Sequence, residues 1–528
     1  MIEQAPPASG YSSTAAAPPV PQPRRRTLID RLRRSVPATL RGQFVALGAI
    51  SILLCLVSAL ASALAISEAR KDLGVIADKT VPVVDAAQNM MQSAFELSGY
   101  AADYLATAPL ANREPCRITA SQPQVGSITV HECSDRNIDA QVAKFNQQLF
   151  KAANKAIFPG EPIAIQRITA GFETLTAQLA LMRDAYRTAT SRSDPRDDQV
   201  ADPHSEPMRK SYAAFQMAVA ALQTQKWPAQ NTAGLAIPSC DVDTAILPGT
   251  DWPFDTLEYT MRCLSKTNKV HLDDAFKETL REQRKNLIVA IICGVLLCGF
   301  LLATTWRMAT VTHRIVNLGL TLALLLGIVG SSLEVYRFYY FSGKDGLFHI
   351  MVLDAYESYY RSIHLKQYAL AANADESRWL VAKAFDDEQA ATRWYQDWQF
   401  RTSRVQDDIQ KLKAQRTWPT EDAPLRDLAA RWTTYTALDS QIRAAASNVA
   451  DPAHIVNAER LSTGTSNATF AGVLDAADRL AAINYTMYNT TQQHIAAALN
   501  NMAWVSLWLF GLAALAAAGG IYARWKDF

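Results

Sequence analysis

The sequence predicts an all-α membrane protein. Four transmembrane helices carry two extracytoplasmic helical-bundle domains, and the two halves are expected to descend from an internal duplication. Three observations predict this. First, Asn286–Leu333 holds two apolar runs, Leu287–Trp306 and Ile315–Leu333, around a short basic loop. Each is close to the ~20 residues that cross a bilayer as a helix. Second, a further apolar run lies toward each end, Phe44–Ile66 and Met502–Tyr522. Third, the long segments between the runs are polar, with apolar residues at helical spacing.

The chain has 528 residues and a formal net charge of +2, so no overall electrostatic bias favours nucleic acid, and no nucleic-acid partner is expected. Residues 1–23 are rich in Pro, Ala and Ser and lack the apolar content to fold. Arg24, Arg25, Arg26, Arg31, Arg33, Arg34 and Arg41 follow. Residues 1–42 are therefore expected to form a disordered, basic cytoplasmic tail. The first span, 43–66, is read as a retained anchor, because no secretory cleavage pattern fits so late an apolar run.

Orientation follows the Lys/Arg content of the short flanking segments. The tail, the loop 307–314 with Arg307, His313 and Arg314, and the end 523–528 with Arg524 and Lys526 are all basic. Spans at 43–66, 286–306, 315–333 and 501–522 would put all three in the cytoplasm. The expected location is a bacterial plasma membrane, crossed four times, with both termini inside and lipid as the surrounding partner.

Residues 67–285 form the first expected external domain. Its opening stretch reads as a helix bent near Pro82. Helical sequence resumes at 137–156, 161–190 and 208–225. Cys116, Cys133, Cys240 and Cys263 all fall in this domain, whereas Cys55, Cys293 and Cys298 sit in apolar runs. Four cysteines confined to one segment suggest disulfides in an oxidising compartment. The local pairs Cys116–Cys133 and Cys240–Cys263 are favoured among three connectivities. A zinc site is disfavoured, because the spacings are not CxxC-like. Ile128 and Val130, inside the first pair, suggest a small hairpin.

Residues 334–500 form the second expected domain and read as almost entirely helical. Leu425, Leu428, Trp432, Tyr435 and Ile442 make an a/d seam, opened by Asp422 and Pro424. The last helix repeats by sevens through Phe470, Ala477, Asn484 and Thr491 before entering the fourth span. Asp85 and Asp354 each lie 19 residues beyond Ile66 and Val335. Aligning them also pairs Ala86 with Ala355, Ser93 with Ser362 and Ala102 with Ala371. This is the basis for expecting a duplication.

No nucleotide-binding, zincin or nucleophile-elbow signature is present, and the eight histidines are scattered. The sequence thus points away from an enzyme and implies no cofactor, metal or catalytic residue. The nearly charge-free spans argue against a transporter. The stretch 353–382, LDAYESYYRSIHLKQYALAANADESRWLVA, is the most distinctive. Tyr360, Arg361 and His364, with Asn373, Asp375 and Arg378, are the candidate ligand- or partner-binding residues. A basic and aromatic external surface could hold an acidic ligand or dock a protein. The alternative is a solvated helix face over ordinary core tyrosines. Asn373, Asp375 and Glu376 are expected to break the helix and cap the next one.

The run from Asp354 to Leu380 resembles the second external region of a family of bacterial four-span membrane proteins. In that family an Ala-Asn-Ala-Asp-Glu-Ser-Arg-aromatic-Leu run follows a helix opening with Asp-Ala-Tyr. These proteins are similar to the glutamine/glutamate-sensing membrane relay of actinobacteria. The resemblance implies an external amino-acid-binding lipoprotein as one partner and a soluble cytoplasmic Ser/Thr kinase as the other. The two cysteine pairs and the Pro-rich loop of the first external region have no counterpart there. The hairpins also look like chemoreceptor-type four-helix sensor modules, although no HAMP-like linker follows any span. The expected function is a non-enzymatic sensor or relay, self-associated as a homo-oligomer, with Arg307, His313 and Arg314 as its cytoplasmic output. The alternative is a scaffold or accessory subunit of an envelope complex.

Overall fold

A computed structural model describes residues 40–106, 113–116, 125–158, 160–191, 203–223, 256–312, 317–451 and 453–525. In chain order the helices are α1 (Leu40–Gly74), α2 (Val81–Ala106), α3 (Val130–Lys155), α4 (Glu161–Ser191), α5 (Glu206–Gln223) and α6 (Leu257–Thr312). Then come α7 (Leu318–Ser342), α8 (Glu357–Ala384), α9 (Glu388–Ala414), α10 (Asp422–Ala446), α11 (His454–Arg460) and α12 (Asn467–Trp525). Between α2 and α3, β1 (Arg113–Cys116) and β2 (Val125–Thr129) pair antiparallel, Arg113 opposite Thr129. This is the hairpin the sequence suggests.

Among the described residues, four helical stretches are long and apolar enough to cross a membrane: Gly42–Ala106, Leu257–Thr312, Leu318–Ala384 and His454–Arg524. Their apolar runs turn many large side chains outward; Leu64 is 63% exposed and Leu515 70%. Contiguous apolar surface of this kind needs lipid or protein around it.

The described residues divide into two compact units. The smaller takes the chain up to Ser58, Val295–Ile328 and the chain from Leu509. Within it α7 and α12 meet backbone to backbone. A Cβ built on Gly319 would stand 2.5 Å from Gly520 Cα and 2.6 Å from the Ala516 carbonyl oxygen. Small residues permit such close helix contact in a membrane, and polar side chains secure it. Here Asn317 Nδ2 donates to the Gly520 carbonyl at 3.0 Å.

The larger unit is Ala59–Gly294 with Val329–Trp508, so both polar segments contribute to one unit instead of separate bundles. At its centre α2 packs on α8, while α3 covers α2, α9 covers α8 and α4 pairs with α5. Helices buried on nearly every face belong at a core's centre, and α2 and α8 have that character. Alanines and Gly99 let the two approach: a Cβ on Gly99 would lie 3.5 Å from Ala374 Cα and Cβ. The seam Leu425, Leu428, Trp432, Tyr435 and Ile442 is buried throughout, as its spacing predicts.

Glu161 and Glu421 open α4 and α10 in the same way. Glu161 Oε2 accepts from the Ile157 and Phe158 amides at 2.6 and 2.7 Å. Glu421 Oε2 accepts from the Thr417 and Trp418 amides at 3.0 Å each. The sequences there, Phe158-Pro159-Gly160-Glu161 and Trp418-Pro419-Thr420-Glu421, share an aromatic-Pro-x-Glu pattern. Likewise Asn268 in α6 and Asn484 in α12 are buried and donate to the carbonyl of a leucine four residues earlier, Leu264 and Leu480.

Cys55, Cys293 and Cys298 are free thiols, and no disulfide joins two described cysteine side chains. The side chain of Cys116 and all of Cys240 lie outside the described residues, so both expected pairings do as well. Cys133 and Cys263 are not among the free thiols. His313, Arg314, residues 1–39 and the whole of the Pro-rich stretch 226–255 also lie outside them.

A buried charge network as candidate functional site

The helix break expected at Asn373–Glu376 does not occur: α8 runs through to Ala384. Asn, Asp and Ser favour caps because their side chains compete for local backbone groups. Asp375 and Glu376 find stronger partners across the interior. Both are 0% exposed, as is Arg378, so these residues form no external binding surface.

Arg378 Nη1 donates to Asp375 Oδ1 at 2.6 Å, and its Nε donates to Ser98 Oγ on α2 at 3.0 Å. Arg401 on α9 pairs with the other oxygen of Asp375 at 2.7 Å and lies 3.6 Å from Glu258 on α6. Glu258 in turn holds Arg262, one turn along α6, at 2.8 Å. Arg262 Nη1 reaches the Tyr368 hydroxyl of α8 at 3.1 Å. With its amide oxygen turned toward both guanidiniums, Gln223 on α5 accepts from Arg378 at 3.2 Å and from Arg401 at 2.6 Å. Aromatic faces complete the setting: Trp394 lies 5.1 Å from the Arg378 guanidinium and Phe95 5.1 Å from that of Arg401.

The buried guanidiniums of Arg378 and Arg401, with the half-buried one of Arg262, thus face Glu258, Asp375 and Asp397. Burial raises the Asp375 carboxyl against the pull of Arg401 and Arg378. Burial also lifts Asp397 to about 7. For Glu258 the three arginines outweigh desolvation and hold the carboxyl below its usual range. Ions taken this far from water persist only when paired and hydrogen-bonded. The network's chemistry is cohesion: it ties α2, α5, α6, α8 and α9 at one place.

A second cluster lies on the same helix. Glu376 accepts from Ser462 Oγ at 2.7 Å and Ser466 Oγ at 3.4 Å. Both serines belong to the π-helical turn Leu461–Ser466 that leads into α12. Burial, reinforced by the neighbouring Asp439, raises Glu376 to about 8. Asp439 takes two bonds from Arg443, both 2.8 Å. The Arg443 guanidinium rests among Trp379, Tyr395 and Trp398 at 4.4–4.9 Å.

The remaining sequence candidates are dispersed. Arg361 pairs with Glu357 one turn earlier at 3.0 Å and is 25% exposed. His364 Nδ1 meets Asp408 of α9 at 2.9 Å. Tyr360 lies under Lys269 of α6, 5.8 Å from ammonium to ring centre. Asn373 is half-buried, its Oδ1 without a partner among the described residues. Arg307 is exposed on α6. Asp375 and Arg378 are therefore brought together, whereas Tyr360 and His364 face neighbouring helices and Arg361 pairs within α8, so the three form no pocket with them.

Sequence reasoning passed over Arg401, Glu258, Arg262 and Arg443. One signal was available. Arg401 falls on the same helical stripe as Ala391, Trp394, Trp398, Val405, Asp408 and Leu412, and charges on a mainly apolar stripe predict buried partners. A shallow groove of about 310 Å³ lies between α9 and α10, lined by Gln399, Thr402, Ser403, Gln406, Trp432 and Thr433 among others. Its hydroxyls bond carbonyls of their own helices, as Thr402 does Gln399 and Thr433 does Ala429, leaving few groups dedicated to a ligand. No group of three or more metal-ligating side chains occurs among the described residues. Comparison with protein-family models, with curated proteins and with solved structures finds no significant match to this chain.

Proposed function

We propose that the protein is a non-enzymatic transmembrane relay that passes an extracytoplasmic signal to a cytoplasmic partner. The observation that carries this reading is the position of Glu258 and Arg262. Both sit in the first two turns of α6, which continues without interruption to Thr312. They are locked to α8 and α9 by the Arg378–Asp375–Arg401 network. Any event that shifts α8 or α9 must drag the head of α6 or break buried ion pairs. Displacements of an ångström or two along packed helices are a recognised switching mode. Glu376 gives α8 a similar grip on the turn before α12.

In this reading the polar segments 67–285 and 334–500 are extracytoplasmic, both termini are cytoplasmic, and the membrane is a bacterial plasma membrane. Arg307 and the rest of the loop 307–314 form the output. The resemblance of Asp354–Leu380 supports an amino-acid-binding protein outside and a Ser/Thr kinase or regulator inside. Disulfides within the first polar segment fit the same orientation. The matched Glu161 and Glu421 caps, and the matched Asn268 and Asn484, support an ancient duplication. In the register of the asparagine pair the second and fourth apolar runs coincide.

Locking α2 to α8 tests the relay. The Gly99→Cys/Ala374→Cys pair has Cβ positions 3.5 Å apart, within reach of a disulfide. Oxidation should freeze the response of a thiol probe at Arg307→Cys to external stimulus, and reduction should restore it. A response unaffected by the lock refutes a relay through this interface.

A further inference from the structure

Asp85 lies in the second turn of α2 and is almost fully buried. Its Oδ1 has no hydrogen-bond partner among the described residues. The Tyr359 hydroxyl and Lys151 of α3, itself exposed, both favour its ionisation. Burial nevertheless raises the carboxyl to about 7. An acid held there without a close counter-ion is costly to charge.

Tyr356, Tyr359 and Tyr488 each interact electrostatically with this carboxyl. Tyr356 and Tyr488 are buried, their ring centres 5.6 Å apart, and both hydroxyls lack a partner among the described residues. Tyr356 stands 6.0 Å from Tyr359, which stands 5.0 Å from Tyr485. Tyr485 is 39% exposed. Beside Asp85, both amide atoms of buried Gln88 are also unpartnered. Orphaned polar atoms inside a protein are uncommon and call for an explanation each. Here Asp85, Tyr356 and Tyr488 carry three of them in mutual electrostatic contact. Tyr356 is also the last residue of the π-helical stretch Ile350–Tyr356, and α2 follows another, Val75–Thr80. Single π turns are frequent at functional sites.

We infer that Asp85 and the tyrosines Tyr356, Tyr359 and Tyr488 form a binding site for a small primary ammonium cation, R–NH3+. Ring faces attract a cation and a carboxylate neutralises it. The free acceptors Asp85 Oδ1, Tyr356 Oη and Tyr488 Oη match the three N–H bonds of a primary ammonium. A quaternary ammonium would leave all three unsatisfied. A divalent metal would want several carboxylates where there is one, and an anion would meet a like charge. This goes beyond the relay reading and does not depend on it, because binding is read on purified protein whether or not a signal follows.

The test is titration of the full chain in nanodiscs with propylammonium chloride, followed by isothermal calorimetry and melting temperature. Tetramethylammonium chloride and sodium chloride at equal ionic strength are the controls. Propylammonium should give saturable heat and a rise in melting temperature beyond either control. Asp85→Asn should abolish both effects. Tyr488→Phe, which keeps the ring, should weaken binding about tenfold, the loss of roughly one hydrogen bond to a charged group. If Asp85→Asn does not fold, Tyr488→Phe carries the test alone. Equal effects from all three salts, no effect from any, or unchanged binding in the folded variants would overturn the proposal and leave the site occupied by water only.

Discussion

Replacing Arg378 with methionine keeps an apolar stem of similar reach and removes the charge. Asp375 is then left with Arg401 at 2.7 Å, while Ser98 and Gln223 each lose a donor. Removing one partner of a buried pair costs about 3–5 kcal/mol, because the surviving ion stays away from water. Arg378 and Asp375 are both 0% exposed, but Arg401 still faces the carboxylate, so the lower end of that range applies. Arg361→Met provides the comparison. Its pair with Glu357 is 25% and 24% exposed, and pairs at a surface contribute about 0–1 kcal/mol. The two variants should therefore differ by at least ~2 kcal/mol, the gap between those two ranges. Arg378→Met/Asp375→Asn should recover part of the loss, since neighbours in one network do not add. Denaturant unfolding of detergent-solubilised protein measures this, with tryptophan emission as probe; Trp394 lies against the Arg378 guanidinium. Equal destabilisation by Arg378→Met and Arg361→Met would refute the buried-network account.

Three further expectations follow from the geometry. Burial raises Asp103 to about 6, Asp85 and Asp397 to about 7 and Glu376 to about 8. In the unfolded chain these groups lose their protons near 4. Their contribution to stability is therefore complete below about pH 4 and is lost as pH rises through the folded values, up to about 8. Melting temperature should fall between pH 5 and pH 8, less steeply in Asp397→Asn, and a rise over that range would contradict the burial of these acids. Gly319→Leu should drive α7 and α12 apart, because even a Cβ meets the Gly520 backbone. Size-exclusion of the solubilised variant should show loss of the folded peak, and an unaltered profile would count against that contact. Glu161→Ala and Glu421→Ala each free two backbone amides and should each cost about 1–2 kcal/mol, as lost caps do. Denaturant midpoints measure this, and an effect confined to one variant would contradict the likeness of the two caps.

The spans and helical seams are legible in the sequence because they depend on local periodicity. Leu425 to Ile442 shows its buried face by spacing alone, and the apolar runs announce their solvent by length. The interior of the larger unit is less legible. Ala-Asn-Ala-Asp-Glu-Ser reads as a helix end by local preference, yet tertiary partners override it. Arg378 reaches Ser98 across 280 positions of sequence, and Gln367 reaches the Gln88 carbonyl across 279. No window of neighbouring residues records such pairings. The same holds for Asp85: the sequence singles it out by alignment with Asp354, but the tyrosines around it come from α8, the π-helical turn before it and α12. Polar residues with strong local roles elsewhere were thus read as surface or cap, and long-range packing made them core.

Crosslinking in intact cells, followed by mass spectrometry of everything attached to the purified chain, tests the relay claim most directly. The account predicts a solute-binding protein attached to the 334–500 segment and a kinase or regulator attached near Arg307, both changing with nutrient supply. Envelope-assembly proteins alone, on both faces and indifferent to nutrients, would contradict the relay and establish a scaffold.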